Sequence, residues 1–202
     1  MSPARVQLLF IQGASAGAHE ADRVLSDALG ELLGPGFRVH FPRMPNERAP
    51  DNDVWKRRIS TSLRETRATF LVAHSAGAAL VADMLAQGPP DELAALRGLF
   101  LLAPPFIGRG GWALEGFHLD GAVDRERPYA LALHLYFGLD DTTVPPTHAQ
   151  LYAARLPDAN VHRLPGCGHQ FEGCLGRVAQ DVRHLAHATR APGNDKGARR
   201  RP

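Results

Sequence analysis

The chain has 202 residues, 44% of them hydrophobic and 22% charged. That suits one globular domain with a sizeable core, and no apolar run is long enough to span a bilayer. The net charge is +2, but Lys196, Arg199, Arg200 and Arg201 against Asp195 give the end of the chain +3 and leave the remainder at −1. The near-neutral body carries no nucleic-acid footprint.

The first apolar run, 6–11, is followed by Gln12-Gly13 and no cleavage site, so it reads as a strand rather than a signal peptide. Residues 19–33 place Val24, Leu25, Ala28, Leu29, Leu32 and Leu33 on one helical stripe, with Gly34 as the stop. A strand at 37–41 and a helix at 53–67, carrying Val54, Ile59 and Leu63 among charges, come next. A strand at 69–74 ends abruptly at His74-Ser75-Ala76-Gly77 and gives way to a helix over 76–86 that is apolar nearly all round. Further strands are expected at 98–103, 131–137 and 161–164, with helices at 147–156 and 175–188. Strand and helix alternating at this spacing predict an α/β fold: three layers, α/β/α, around a mainly parallel six-stranded sheet. Residues 1–190 form a single domain in this reading, and 191–202, rich in Gly, Pro and Arg, form a disordered basic tail.

The segment between Ala103 and Leu131 has no helical pattern, yet Phe106, Trp112 and Phe117 recur among its glycines and prolines. It leaves the C-terminal end of a strand, where open α/β sheets bind ligands, so these aromatics are candidate substrate-binding residues. The plainer alternative is a surface excursion pinned by aromatics.

A strand, a sharp turn and a helix, with Ser75 at the apex between small residues, is the build of a nucleophile elbow and points to a serine hydrolase. A serine hydroxyl needs a base, a group to orient that base, and donors for the oxyanion. In such enzymes the partners follow in the order serine, acid, histidine. Asp140 and Asp141 both lie in a loop after the strand at 131–137, on the rim that carries Ser75, although turn aspartates are common. His169 follows the last strand in a glycine-rich loop and is the candidate base among ten histidines. His74 adjoins Ser75, but its side chain is expected to point into the elbow's surroundings. For the oxyanion, the N–H of Ala76 at a helix start is one donor, and the N–H of Ala14 is the other by position, with Gly13 or Ser15 as alternatives.

Two other chemistries fit less well. Gly13 to Gly17 is glycine-rich after a strand but lacks both the dinucleotide pattern and a Gly-Lys-Ser/Thr ending. Cys167, His169 and Cys174 could suggest zinc, yet their spacing is no zinc signature and a fourth ligand is missing. Neither a metal nor an organic cofactor is expected. The two cysteines do not make a disulfide framework, so a reducing cytoplasm is the expected compartment.

On these residues the chain is identified as a member of the α/β-hydrolase superfamily. Gly138-x-x-Asp141-x-x-Val144-Pro145 resembles the family's acid loop, which implies Asp141 rather than Asp140. Gly166-x-Gly168-His169 resembles its histidine loop. Met44-Pro45-Asn46, Trp55 and Leu71-Val-Ala-His-Ser75-x-Gly77 are similar to the small lidless serine hydrolases of the YdeN and retinoblastoma-binding protein nine type. The resemblance implies strand order 2-1-3-4-5-6, no large cap domain, and an esterase-like enzyme acting on a small-molecule ester. No nucleic-acid or membrane partner is expected. The chain departs from the family at Ala73, where the elbow has its first glycine, and at Gln12, where His-Gly is common. A non-catalytic binding or scaffold protein on the same fold is the alternative.

Overall fold

The computed structural model describes residues 4–114 and 131–188. Six strands, β1 (Val6–Ile11), β2 (Phe37–His40), β3 (Phe70–His74), β4 (Gly98–Leu102), β5 (Ala132–Gly138) and β6 (Asn160–Leu164), form one sheet in the order β2-β1-β3-β4-β5-β6. Every neighbouring pair runs parallel. The intervening helices are α1 (Ala18–Leu33), α2 (Asn52–Thr66), α3 (Ser75–Gln87), α4 (Asp91–Ala94), α5 (His148–Arg155) and α6 (Leu175–Ala188). This is the α/β-hydrolase architecture, with no large cap domain among the described residues. Only α4 was not expected, because four residues after Pro89-Pro90 are too short to show a helical period. The tail at 191–202 and Phe117 lie outside the described residues.

The central strands β3 and β4 are buried along their whole length, as parallel strands covered on both faces must be. Their side chains alternate between two cores. Leu8, Phe10, Phe70, Val72, Phe100 and Leu102 face α1 and α6, where Leu25, Leu29, Val178 and Val182 meet them. Leu9, Ile11, Leu71, Ala73, Leu99 and Leu101 face the opposite layer, where Trp55, Ile59, Val81 and Tyr152 pack. The edge strands β2 and β6 are only partly buried. Helix α2 starts on Asp51, whose side chain accepts the N–H of Val54, and stops where Arg67 turns left-handed. One charge lies inside the second core: Asp83 of α3 is fully buried and pairs with Lys56 of α2 at 2.7 Å.

The topology sets where chemistry can occur. The chain turns left from β1 to β2 and then crosses to β3 on the other side, so the loops after β1 and β3 part at a crevice on the carboxyl rim. Among the described residues, no helix is long and apolar enough to cross a membrane.

Phe100 is fully buried in β4, edge-on to Phe70 and stacked on His134. Phe100→Ala is expected to cost about 3–5 kcal/mol of stability. Urea unfolding with an unchanged m-value would measure it.

Candidate active site

Ser75 is the first residue of α3 and has φ of +50°, a left-handed conformation that non-glycine residues rarely adopt. Two small neighbours permit it. A Cβ on Gly77 would stand 2.2 Å from the Gln12 carbonyl oxygen, so only glycine lets α3 lie this close to the loop after β1. A Cβ on Gly13 would stand 3.0 Å from the Cβ of Ser75. At the departure from the elbow pattern, Ala73 is fully buried in β3 between Ile11 and Leu101, and its methyl group is accommodated there.

The Ser75 hydroxyl lies 3.0 Å from His169 Nε2, and His169 Nδ1 lies 2.8 Å from Asp141 Oδ2. With Nδ1–H donating to the carboxylate, Nε2 is left to accept from Ser75. The other oxygen of Asp141 accepts the N–H groups of Thr143 and Val144, each at 2.8 Å. Burial pushes the Asp141 carboxyl up. The hydrogen bond from His169, the N–H of Val144, the His169 charge and the N–H of Thr143 together outweigh it, and the carboxyl sits below the ordinary carboxylate range. Asp140 is exposed and its N–H is bonded to the Cys167 carbonyl, so of the two adjacent carboxylates Asp141 is the one brought to His169.

The acid and histidine loops meet through backbone. A Cβ on Gly138 would stand 2.2 Å from the Cys167 carbonyl oxygen, so the glycine of the acid loop is what allows this approach. Cys167 and Cys174 form a disulfide across the histidine loop, with Cα atoms 6.0 Å apart. The sequence reading, that two cysteines make no disulfide framework, did not include this pairing. One bridge is not a framework, but it staples the turn that holds His169, and left-handed Gly166, Phe171 and Gly173 fold that turn back on itself. The inference of a reducing compartment loses its basis.

Of the candidate oxyanion donors, the Gly13 N–H is taken by Asp22 at 2.7 Å. The N–H groups of Ala14 and Ala76 have no partner among the described residues. The loop after β1 is held from several sides. Gln12, fully buried, accepts from the Met44 N–H and His19 Nδ1 and donates to Glu47. Glu47 also accepts the N–H groups of Gly17 and His19. The hydrogen bond from Gln12, and next that from the His19 N–H, hold the Glu47 carboxyl below its ordinary range. Trp55 anchors the same region by donating from Nε1 to the Pro45 carbonyl at 2.7 Å. Gln12 thus occupies the usual histidine position as a hub of hydrogen bonds.

The aromatic segment divides. Phe106 is 4% exposed and packs edge-on against Tyr152, so it belongs to the core, which corrects its reading as a substrate wall. Its N–H donates to His148 Nδ1 at 2.7 Å. Trp112 is exposed and leans on the His148 ring, and Gly111 fits where a Cβ would stand 2.2 Å from the Phe106 carbonyl. Burial pushes the His148 imidazole below its ordinary range. Residues 106–112 are therefore pinned to the start of α5, next to the acid loop.

Among the described residues one group could offer metal ligands: His134, His162 and Asp181. It is already closed on itself. His134 Nδ1 and His162 Nε2 are 3.1 Å apart, with ring planes 1° from parallel, and one donates to the other. Asp181 accepts from the Tyr136 hydroxyl and from Arg177, each at 2.8 Å. A guanidinium already balances that carboxylate, which disfavours a second cation. The three-ligand idea at Cys167, His169 and Cys174 ends with the disulfide.

The model of the serine hydrolase family matches residues 38–182. The chain belongs to that family. Its fold is shared with a YdeN-like hydrolase from Pectobacterium atrosepticum, at 18% identity and a TM-score of 0.57 over 90% of this chain and 92% of the other. A serine hydrolase without lid from Xanthomonas campestris gives 19% identity and 0.58, over 96% and 87%. The butyrate-bound esterase Est2 from Thermogutta terrifontis gives 16% and 0.58, over 97% and 87%. No curated protein matches by sequence.

Sequence reasoning singled out Gln12 as a departure but not its hydrogen bonds, and missed Glu47 and Asp22. Only Asp22 had a legible signal, a charge at helical spacing from Leu25 and Leu29 on the buried stripe of α1. Two tests follow from the loop contacts. Gly138→Ala should lower kcat by about 100-fold in a folded protein, because the loops carrying Asp141 and His169 must part. Cys174→Ser should lower stability by about 2 kcal/mol, read by thermal unfolding with and without reductant.

Proposed function

We propose that this serine hydrolase cleaves a carboxylic ester, or a related thioester or amide, through an acyl-enzyme. The observation that carries the reading is the continuous chain from Ser75 Oγ through His169 to Asp141, built on a left-handed elbow. His169 Nε2 takes the hydroxyl proton as Oγ bonds to the acyl carbon, and the carbonyl π pair moves onto oxygen. The N–H groups of Ala76 and Ala14 receive that oxyanion, the first of them at the start of α3. Collapse expels the alcohol, which leaves with the proton from His169. Water then repeats the sequence on the acyl-enzyme, releases the acid and restores Ser75.

Asp141 holds His169 in the tautomer whose Nε2 is free, and stabilises the imidazolium. It does so as an anion over the whole mildly acidic range, since its carboxyl lies below the ordinary one. The sign follows from linkage: a depressed carboxyl adds stability above its unfolded pKa and loses it as pH falls through the folded value. The Asp141 contribution to folding is therefore present at neutral pH and is lost as pH falls through its depressed folded value. With no cap domain among the described residues, the crevice suits a small acyl group, and the butyrate held by Est2 supports that class. The exposure of Trp112 beside His148 supports reading it as a substrate contact.

A fluorophosphonate probe should label the wild-type protein and not Ser75→Ala. Equal labelling of the two would overturn the assignment. Asp141→Asn should lower kcat for p-nitrophenyl acetate by about 10³- to 10⁴-fold with a smaller change in KM.

A further inference from the structure

Two buried ionisable groups beside Ser75 have no part in that sequence of steps. Asp22, on the inner stripe of α1, and His74, the last residue of β3, are each 1% exposed. Both oxygens of Asp22 lie 2.9 Å from His74 Nδ1, and Oδ2 also accepts the Gly13 N–H at 2.7 Å. On its far side, His74 Nε2 lies 3.0 Å from the backbone carbonyl of His169. A carboxylate and a carbonyl are both acceptors. The contacts are complete when Nε2–H donates to the His169 carbonyl and one proton lies between Nδ1 and the Asp22 carboxyl, so each end of the ring is held.

We propose that Asp22 and His74 are positioning residues: a second Asp–His pair that fixes the oxyanion loop and the catalytic base to the nucleophile elbow. The proposal rests on the reading of Ser75, His169 and Asp141 as the triad. Asp22 fixes the peptide that ends in the Gly13 N–H, and the next N–H along, that of Ala14, is left free for the oxyanion. His74 fixes the backbone of His169 while Asp141 fixes its ring, so the base is held at two points. His74 itself is covalently joined to Ser75. One rigid pair thus ties α1 to the end of β3, 52 residues on, and the end of β3 to the histidine loop, 95 residues further on. The packing leaves the pair little play: the rings of His74 and His169 are 4.9 Å apart, and Phe171 closes edge-on at 6.4 Å. A buried ionisable pair contributes little net stability compared with well-packed apolar residues, so its value here is geometric.

The test is steady-state turnover of p-nitrophenyl acetate, with the rate of fluorophosphonate labelling, for wild type, Asp22→Ala, Asp22→Asn and Ser75→Ala. Asp22→Ala, at a temperature where circular dichroism shows it folded, should lose about 10- to 100-fold in kcat and in labelling rate while KM stays within about threefold. Asp22→Asn should recover most of that loss. Its amide oxygen can accept the Gly13 N–H while its N–H donates to a neutral His74, whose Nε2–H still holds His169. A purely structural Asp22 would lower the unfolding temperature and leave kcat of the folded variant alone. Folded Asp22→Ala with wild-type kcat overturns the proposal, and so does Asp22→Asn that is no better than Asp22→Ala. If Asp22→Ala does not fold, Asp22→Ser is judged by the same limits. A wild-type protein with neither turnover nor Ser75-dependent labelling overturns the hydrolase reading itself. That result is distinct from an active wild type beside an equally active Asp22 variant.

Discussion

The left-handed turn at Ser75 is the constraint on which the rest of the site depends. A serine at φ of +50° carries a backbone cost of order 1–3 kcal/mol that its surroundings must overcome. They do so by leaving no other path. β3 is buried from end to end and α3 begins at once, so the chain must reverse within a residue or two. Gly77 lets the first turn of α3 press against the Gln12 carbonyl, and Gly13 clears the space beside the serine Cβ. The hydroxyl meets His169 from this turn, and the Ala76 N–H beside it has no backbone partner among the described residues. If the elbow relaxed into an ordinary helical start, both the nucleophile and this donor would move together.

The acid and the base reach Ser75 because the loops after β5 and β6 are forced into register with each other. Gly138 touches the Cys167 carbonyl, the Asp140 N–H bonds to the same oxygen, and the disulfide closes the turn on the other side of His169. Side-chain hydrogen bonds then set the last few tenths of an ångström. This division is economical in physical terms. Backbone contacts at glycine positions are stiff and fix where loops lie, while the Asp141–His169–Ser75 bonds only choose a rotamer within that frame.

The sheet and the residues that meet at Ser75 were legible in sequence because both rest on local signals. Apolar runs broken by glycines mark strands, and Ser75, the acid loop and His169 each sit at such a break in the required order. The choice of Asp141 over Asp140 came from resemblance, since nothing local separates adjacent aspartates; the structure separates them by burial and by the two N–H groups that Asp141 accepts. What stayed hidden was what depends on distance. Asp22 meets His74 across 52 residues and Gln12 meets Glu47 across 35, and no period or motif connects them. Phe106 misled for a related reason. A phenylalanine among glycines reads as a wall of a site, but its ring had a deeper partner in Tyr152 that only packing reveals. The cysteines misled because a count of two says nothing about a turn that brings their Cα atoms within bonding range.

The distribution of buried polar groups carries the argument one step further. Fully enclosed polar side chains are costly unless every hydrogen bond is met, and an apolar core would serve stability as well. In this fold the two faces of the sheet are almost wholly apolar. Among the described residues, five of the eight buried polar side chains gather at one rim: Gln12 after β1, His74 at the end of β3 with Asp22 facing it, Asp141 after β5 and His148 at the start of α5; Ser26, Ser62 and Asp83 lie on helices away from it. Each of the five has acceptors or donors matched to it. Stability alone gives no reason to cluster them there. A requirement for fixed geometry around Ser75 does give one. Hydrogen bonds between buried groups tolerate displacement far less than apolar contacts do, so a rim built from them has one arrangement where an oily rim would have several.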